Sequence, residues 1–242
     1  MRKSDQFLDT YADLESYLRA EAKLDRCASF YQLVDRAAGV KSAVRRFKDD
    51  LKEYADLRNA IVHERSDGHV IAEPNERAVQ GIARILEALT RPPKVIPMFQ
   101  RRVVGRSLQD TIGSAVTDMR GGDFSQLPIL NGENVVALLT SETVVRWLAA
   151  EVSNEIVSLW ETKIEDVLPH AEDPDHYCLV AKTASLHDVV SSFEEFTSKG
   201  KDLAAVLVTE GGKPNQKLMG IVTVFDLPAI LGALGIRRLT TA

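Results

Sequence analysis

Gly220-Ile221-Val222-Thr223-Val224-Phe225-Asp226 (GIVTVFD) and Ala137-Leu138-Leu139-Thr140-Ser141-Glu142-Thr143 (ALLTSET) are two versions of one string. Each opens on a small residue, runs through two apolar residues and reaches a threonine. Working outward, Ser107, Leu108 and Asp110 recur as Ser185, Leu186 and Asp188, an offset of 78. The same offset carries Ile129 and Leu130 onto Leu207 and Val208, and sets Val206 opposite Pro128. A turn then lengthens from NGEN to TEGGKPNQK, four residues to nine, so the offset becomes 83 and Thr140 falls on Thr223. Loops tolerate such insertions, so one event accounts for the shift. The chain is therefore duplicated, and each copy predicts strand, helix, strand, turn, strand, helix.

Upstream, TRPPKVIP (Thr90 to Pro97) holds three prolines in eight residues. Proline cannot continue a helix and holds its predecessor extended, which predicts a linker over 92–97. Before it the period is helical: Phe7, Tyr11, Leu14, Leu18; then Val44, Phe47, Leu51, Tyr54, Ile61; then Val79, Ile82, Leu86, Leu89. A further helix over Ser29 to Ala38 stops before Gly39, and Gly68 and Pro74 bracket a loop. The expected fold is α+β. A four-helix bundle over 1–91 precedes two βαββα repeats, 98–160 and 161–242.

With 242 residues, 45% of them hydrophobic, the chain can build two cores. It has no run of about 18 apolar residues that could span a membrane. No apolar stretch follows the basic residues of MRKSDQFLDT, so a cytoplasmic location without a secretory signal is expected. Cys27 and Cys178 are too few for a disulfide framework or a zinc site. Residues 1–95 hold 17 basic and 16 acidic side chains, net +1; residues 96–242 hold 13 and 19, net -6. Neither balance suits a dedicated duplex-DNA binder.

The repeat resembles the CBS domain, and the tandem pair resembles a Bateman module, over roughly residues 96–235. The resemblance rests on GIVTVFD and the helix expected after it. It implies an adenine nucleotide (AMP, ADP or ATP) as regulatory ligand, with Asp226 on the ribose hydroxyls and Thr223 near ribose and phosphate. It also implies an adenine slot near Val180 and Ala181 of the repeat's first strand. Read from the residues alone, a hydroxyl and a carboxylate three apart can reach one sugar, and they can equally cap a helix. The first copy departs from the pattern, with Ala137 for the glycine and Thr143 for the acid. Its candidate ligand residues are Thr140 and Thr143. Phosphates need cations, and Arg101, Arg102, Arg106 and Lys182 lie near the repeat starts.

In the front half, Arg58 falls near the middle of the apolar arc of its helix at about 100° per residue. An unpaired guanidinium there is costly, so it must snorkel, pair with an acid or face a polar interface. Arg58-Asn59, followed by His63, resembles the Arg-x4–6-His signature of the HEPN superfamily. That resemblance implies a helical bundle that pairs as a homodimer and a metal-independent endoribonuclease. Arg58 would hold the scissile phosphate, His63 would move protons and Asn59 would orient the histidine or bond the phosphate. Arg58 and His63 stand about 140° apart on a straight helix, so two chains, or a helix ending near Ile61, would be needed. Arg45, Arg46 and Lys48 could track RNA or simply form a solvated face with Asp49 and Asp50. A non-enzymatic regulator with a structural bundle fits the same residues.

Two strings mislead. Gly121-Gly122-Asp123-Phe124 lacks the second acid of a cyclic-dinucleotide synthase motif and reads as a turn. HAEDPDHY (His170 to Tyr177) has metal-friendly types without ligand spacing, so no metal is expected.

Overall fold

The computed structural model describes residues 2–24, 27–63, 65–66, 69–70, 73–153, 156–173 and 176–235; of His63, Arg65, Ser66, His69 and Val70 it describes the backbone. The chain is a mixed α+β protein in two units, Met1–Pro93 and Lys94–Ala242.

In the first unit, α1 (Lys3–Ala22) buries Phe7, Tyr11, Leu14 and Leu18 at the predicted spacing. Ser29 starts α2 (Phe30–Ala38) through a reciprocal cap with Gln32. The apolar stripe read as one helix from Val44 to Ile61 is two, α3 (Ser42–Arg46) and α4 (Lys48–His63), because Phe47 leaves helical geometry at φ -99 and ψ 14. A two-residue hairpin follows, β1 (Arg65–Ser66) with β2 (His69–Val70); Gly68, expected to open the loop, lies outside the described residues. Asn75 caps α5 (Glu76–Thr90), which buries Val79, Ile82, Ile85 and Leu89. These helices share one core. Each large aliphatic side chain in it contributes about 1.5–3 kcal/mol of burial. Gly81 lets α5 lie against α4, since a Cβ there would fall 2.1 Å from the Tyr54 hydroxyl.

The second unit starts with α6 (Val95–Met98) and an extended stretch that makes one parallel bridge, Arg106 to Ile129, where a full first strand was expected. Then come α7 (Ile112–Gly122), β3 (Gln126–Asn131), β4 (Asn134–Thr140) and α8 (Ser141–Ala150). The second half has α9 (Ile164–Val167), β5 (Tyr177–Ala181), α10 (Leu186–Ser198), β6 (Ala205–Thr209), β7 (Leu218–Val222), a 3-10 turn over Val224–Asp226 and α11 (Leu227–Ala233). β3 and β4 are antiparallel; β6 lies between parallel β5 and antiparallel β7.

The two ladders match more closely than the sequence offset did. Both hairpins carry a register shift just before the small residue of the motif, at Val136 before Ala137 and at Met219 before Gly220. Leu127 pairs with Leu139 and Val206 with Val222. Thus Leu127 corresponds to Val206, Ile129 to Val208 and Pro128 to Leu207, one residue away from the expected matches. A one-residue slip exchanges faces. Leu127 and Ile129 face the core under α7, and Val206 and Val208 face the core under α10. Pro128 and Leu207 are both fully or largely buried on the other side, where Leu138 and Leu207 meet between the sheets. The helix offset also changes. Ser185 caps α10 directly, whereas Ser107 and Asp110 make only a turn, and α7 is capped four residues later by Thr111.

The halves exchange their lead-in segments. Val95 and Phe99 complete the core of the second half, and the Val95 amide donates to the Ala184 carbonyl. Reciprocally, Ile164 and Val167 complete the core of the first half, and the Ile112 amide donates to the Thr162 carbonyl. Gly220 is required by this exchange, because a Cβ on it would fall 2.3 Å from the Phe99 carbonyl oxygen.

Candidate functional site

A cleft of about 1040 Å³ opens in the second unit, the size of a small-molecule site. Its floor is the end of β7 and the turn after it. β7 stops at Val222, and the Thr223 amide donates to Asp226 Oδ2 at 2.7 Å, with the Thr223 hydroxyl on the same oxygen at 3.2 Å. This reciprocal cap begins the 3-10 turn. The structure thus brings Thr223 and Asp226 together at the turn before α11, and the Asp226 side chain makes no capping bond to that helix. The cap engages Oδ2, so the second carboxylate oxygen is left as an acceptor on a side chain 23% exposed.

Arg101 and Arg102 enter the cleft on the exchanged lead-in, and Arg120 enters from the last turn of α7. The Arg101 amide donates to the Met219 carbonyl at 3.2 Å. Its guanidinium donates to the Ile221 carbonyl and stands 3.5 Å from Asp226 Oδ2. Phe124 and Phe225 supply aromatic faces, and Phe225 is 81% exposed. Asp123, also on the rim, ends α7 in the left-handed region at φ 53, so the Gly-Gly-Asp-Phe string is a helix terminus. Of the other cations considered, Arg106 is bound to Asp118 at 2.6 Å and Lys182 to Glu210; neither lines the cleft.

Val180 and Ala181 do not join this site. Thr223 follows Val222, whose row continues through Val206 to Cys178. Val180 and Ala181 lie two and three residues further along β5, roughly 7–10 Å toward the opposite end of the sheet. There the chain around Gly211 and Gly212 closes over Ala181.

The first copy forms a second cleft, of about 620 Å³. Thr140 and Thr143 meet in it, their hydroxyls 2.9 Å apart, and Thr140 caps α8. The lining carries Glu142, Glu172, Asp173 and Asp202 with Lys201, which pairs with Asp173 at 2.7 Å, while Arg146 outside the lining pairs with Glu142 and Glu172, so acids still outnumber cations. The two clefts are therefore opposite in charge: three arginines against two acids in one, four acids against one lysine in the other. Among the described residues no group of three metal-ligating side chains converges, and no helix is long and apolar enough to cross a membrane.

In the first unit, Arg58 is half-buried with its guanidinium 5.9 Å above the Tyr11 ring and Nη1 3.4 Å from Asn59 Oδ1. This is how the apolar seam accommodates the charge, by snorkelling over an aromatic face. Asp56 accepts the Tyr31 hydroxyl instead. Burial raises the Tyr11 pKa, with a further push from Glu15. The backbone of His63 ends α4; its side chain lies outside the described residues.

The aromatic faces, Arg120 and the Arg101–Asp226 contact escaped sequence reading. Phe225 occupies a variable position of the motif, and its one signal is an aromatic side chain placed where a helix is about to begin.

No family model matches the chain, and no curated protein matches it. Solved structures are similar over somewhat more than half of the chain. A structure described as a putative acetoin utilization protein from Vibrio cholerae shares 21% identity, covering 58% of this chain and 91% of its own, with a TM-score of 0.44. A CBS domain pair in complex with 5′-methylthioadenosine and S-adenosyl-L-methionine shares 15%, over 59% and 98%, at 0.43. CBSX2 in complex with AMP shares 17%, over 60% and 99%, at 0.42.

Proposed function

We propose that the second unit is a CBS-type pair that senses an adenine nucleotide in the arginine-lined cleft. The observation that carries this reading is the pairing of Asp226 with three arginines and two phenylalanines around one cavity. Each part of a nucleotide finds its chemistry there. The free oxygen of Asp226 accepts a ribose hydroxyl, the arginines neutralise phosphate, and Phe124 and Phe225 offer faces for a base. In the carboxylate-lined cleft, Thr140 and Thr143 lack that acid, and the four acids repel phosphate. Isothermal titration with AMP, ADP and ATP tests the reading. Binding should weaken about 10- to 100-fold in Asp226→Asn, the cost of a hydrogen bond to a charged group. Absence of binding by all three at millimolar concentration would overturn it.

The first unit is proposed as a HEPN-like bundle whose paired copies cleave RNA without metal under nucleotide control, using Arg58, Asn59 and His63. Support comes from the contact of Arg58 with Asn59, its neighbour on α4. RNA cleavage in EDTA that is abolished in both Arg58→Ala and His63→Ala is the expected result. The contact of Arg58 with Tyr11 favours a second reading, a structural bundle in a non-enzymatic regulator. Under it, neither variant changes an RNA substrate profile, but Arg58→Ala lowers the melting temperature of the first unit.

A further inference from the structure

We propose that Arg101 makes the cleft selective for phosphorylated ligands by exchanging the Asp226 carboxylate for a ligand phosphate; this rests on the nucleotide reading above. Three observations lead here. First, Arg101 is anchored independently of Asp226. Its amide is held by Met219 of β7 and its guanidinium donates to the Ile221 carbonyl, whereas the side chain is 48% exposed and only loosely paired, at 3.5 Å, with Asp226. Second, Asp226 does not need Arg101. Its Oδ2 already accepts from the amide and hydroxyl of Thr223, so the cap survives departure of the cation. Third, among the three cleft arginines Arg101 is the one that forms an ion pair with Asp226, the proposed ribose acceptor.

A phosphate dianion offers a guanidinium more charge and a two-point geometry. The Asp226 carboxylate offers one shared oxygen. Phosphate therefore wins the exchange, and Asp226, relieved of the neighbouring cation, is the better acceptor for ribose. An unphosphorylated nucleoside has nothing to give Arg101. It must bind with Arg101 still beside Asp226, competing for the same carboxylate. The exchange thus favours the nucleotide and penalises the nucleoside.

The experiment is titration of the full-length protein with AMP and with adenosine, in wild type, Arg101→Met and Arg101→Lys, at two salt concentrations. Methionine keeps much of the stem volume, and lysine keeps the charge without the fork. Wild type should prefer AMP, with an affinity that falls as salt rises. Arg101→Met should lose about 10- to 100-fold in AMP affinity, bind adenosine equally or better, and lose most of the salt dependence. Arg101→Lys should fall between. An equal loss for AMP and adenosine in Arg101→Met, or an unchanged AMP-to-adenosine ratio, would overturn the exchange and leave the nucleotide reading intact. Failure of wild type to bind either ligand would overturn both. Circular dichroism and the melting temperature of each variant separate lost binding from lost folding.

Discussion

Gly220→Ala should destabilise the second unit by an amount readable from one contact. An alanine Cβ would fall 2.3 Å from the Phe99 carbonyl oxygen and 3.3 Å from its carbon. The obstacle is backbone, and it cannot retreat freely. Phe99 is 7% exposed in a core that includes Val95 and Val208, and the next anchors, the Arg101 amide on Met219 and its guanidinium on Ile221, tie the same segment down. Forced overpacking of this kind costs about 1–3 kcal/mol. For a unit of this length, each kcal/mol moves the melting temperature by roughly 2–4 °C, so a fall of about 2–12 °C is expected. Gly232→Ala is the matched control. It lies inside α11 with nothing within 4 Å of its Cβ position, so alanine should raise stability by about 0.4–1 kcal/mol. Differential scanning calorimetry of the full chain measures both. A Gly220→Ala protein that melts with wild type, or a Gly232→Ala protein that falls as far, would refute the close-approach argument.

Titration with AMP should saturate at one nucleotide per chain, because the carboxylate-lined cleft repels phosphate; two equivalent sites would contradict the charge contrast. Burial raises the Tyr11 pKa, so the folded state holds its proton where the unfolded chain has lost it. Stability from this group is full below the ordinary tyrosine value near 10. It is lost as pH rises from there through the folded value, and Tyr11→Phe should flatten that alkaline slope in urea titrations. Of the two tryptophans, Trp147 is 4% exposed and Trp160 66%. Trp160→Phe should therefore shift fluorescence emission to the blue and remove most acrylamide quenching.

Much of the second unit was written in its threonines and turns, and the misses have physical causes. Ser107-Leu108-x-Asp110 and Ser185-Leu186-x-Asp188 look alike because both fold back onto an amide, yet only the second opens a helix. The strand match slipped by one residue because aliphatic neighbours such as Val206, Leu207 and Val208 are all buried, so no polar alternation marks the two faces. Val180 and Ala181 were set beside Thr223 because sequence gives no distance along a sheet; the ladder does. Arg58 was legible as an anomaly on its seam, but the Tyr11 ring that receives it comes from a different helix. Arg101, Arg102, Arg120 and Phe124 of the cleft lining stand more than a hundred residues from Asp226 in sequence, and the exchanged lead-in is what brings Arg101 and Arg102 to it.

That exchange also constrains how such a protein can be inherited. Each half lacks the residues that finish its own interior and carries those that finish its neighbour's. A lone copy, cut ahead of Ile164, would expose a vacant apolar slot on one side and a useless apolar strap on the other. Recombination could therefore trade the pair as a block, or trade the helical unit ahead of it, but not a single half. The divergence of the two clefts would then have followed duplication within one inseparable heirloom, each half free to alter its own surface while bound to conserve the piece it lends.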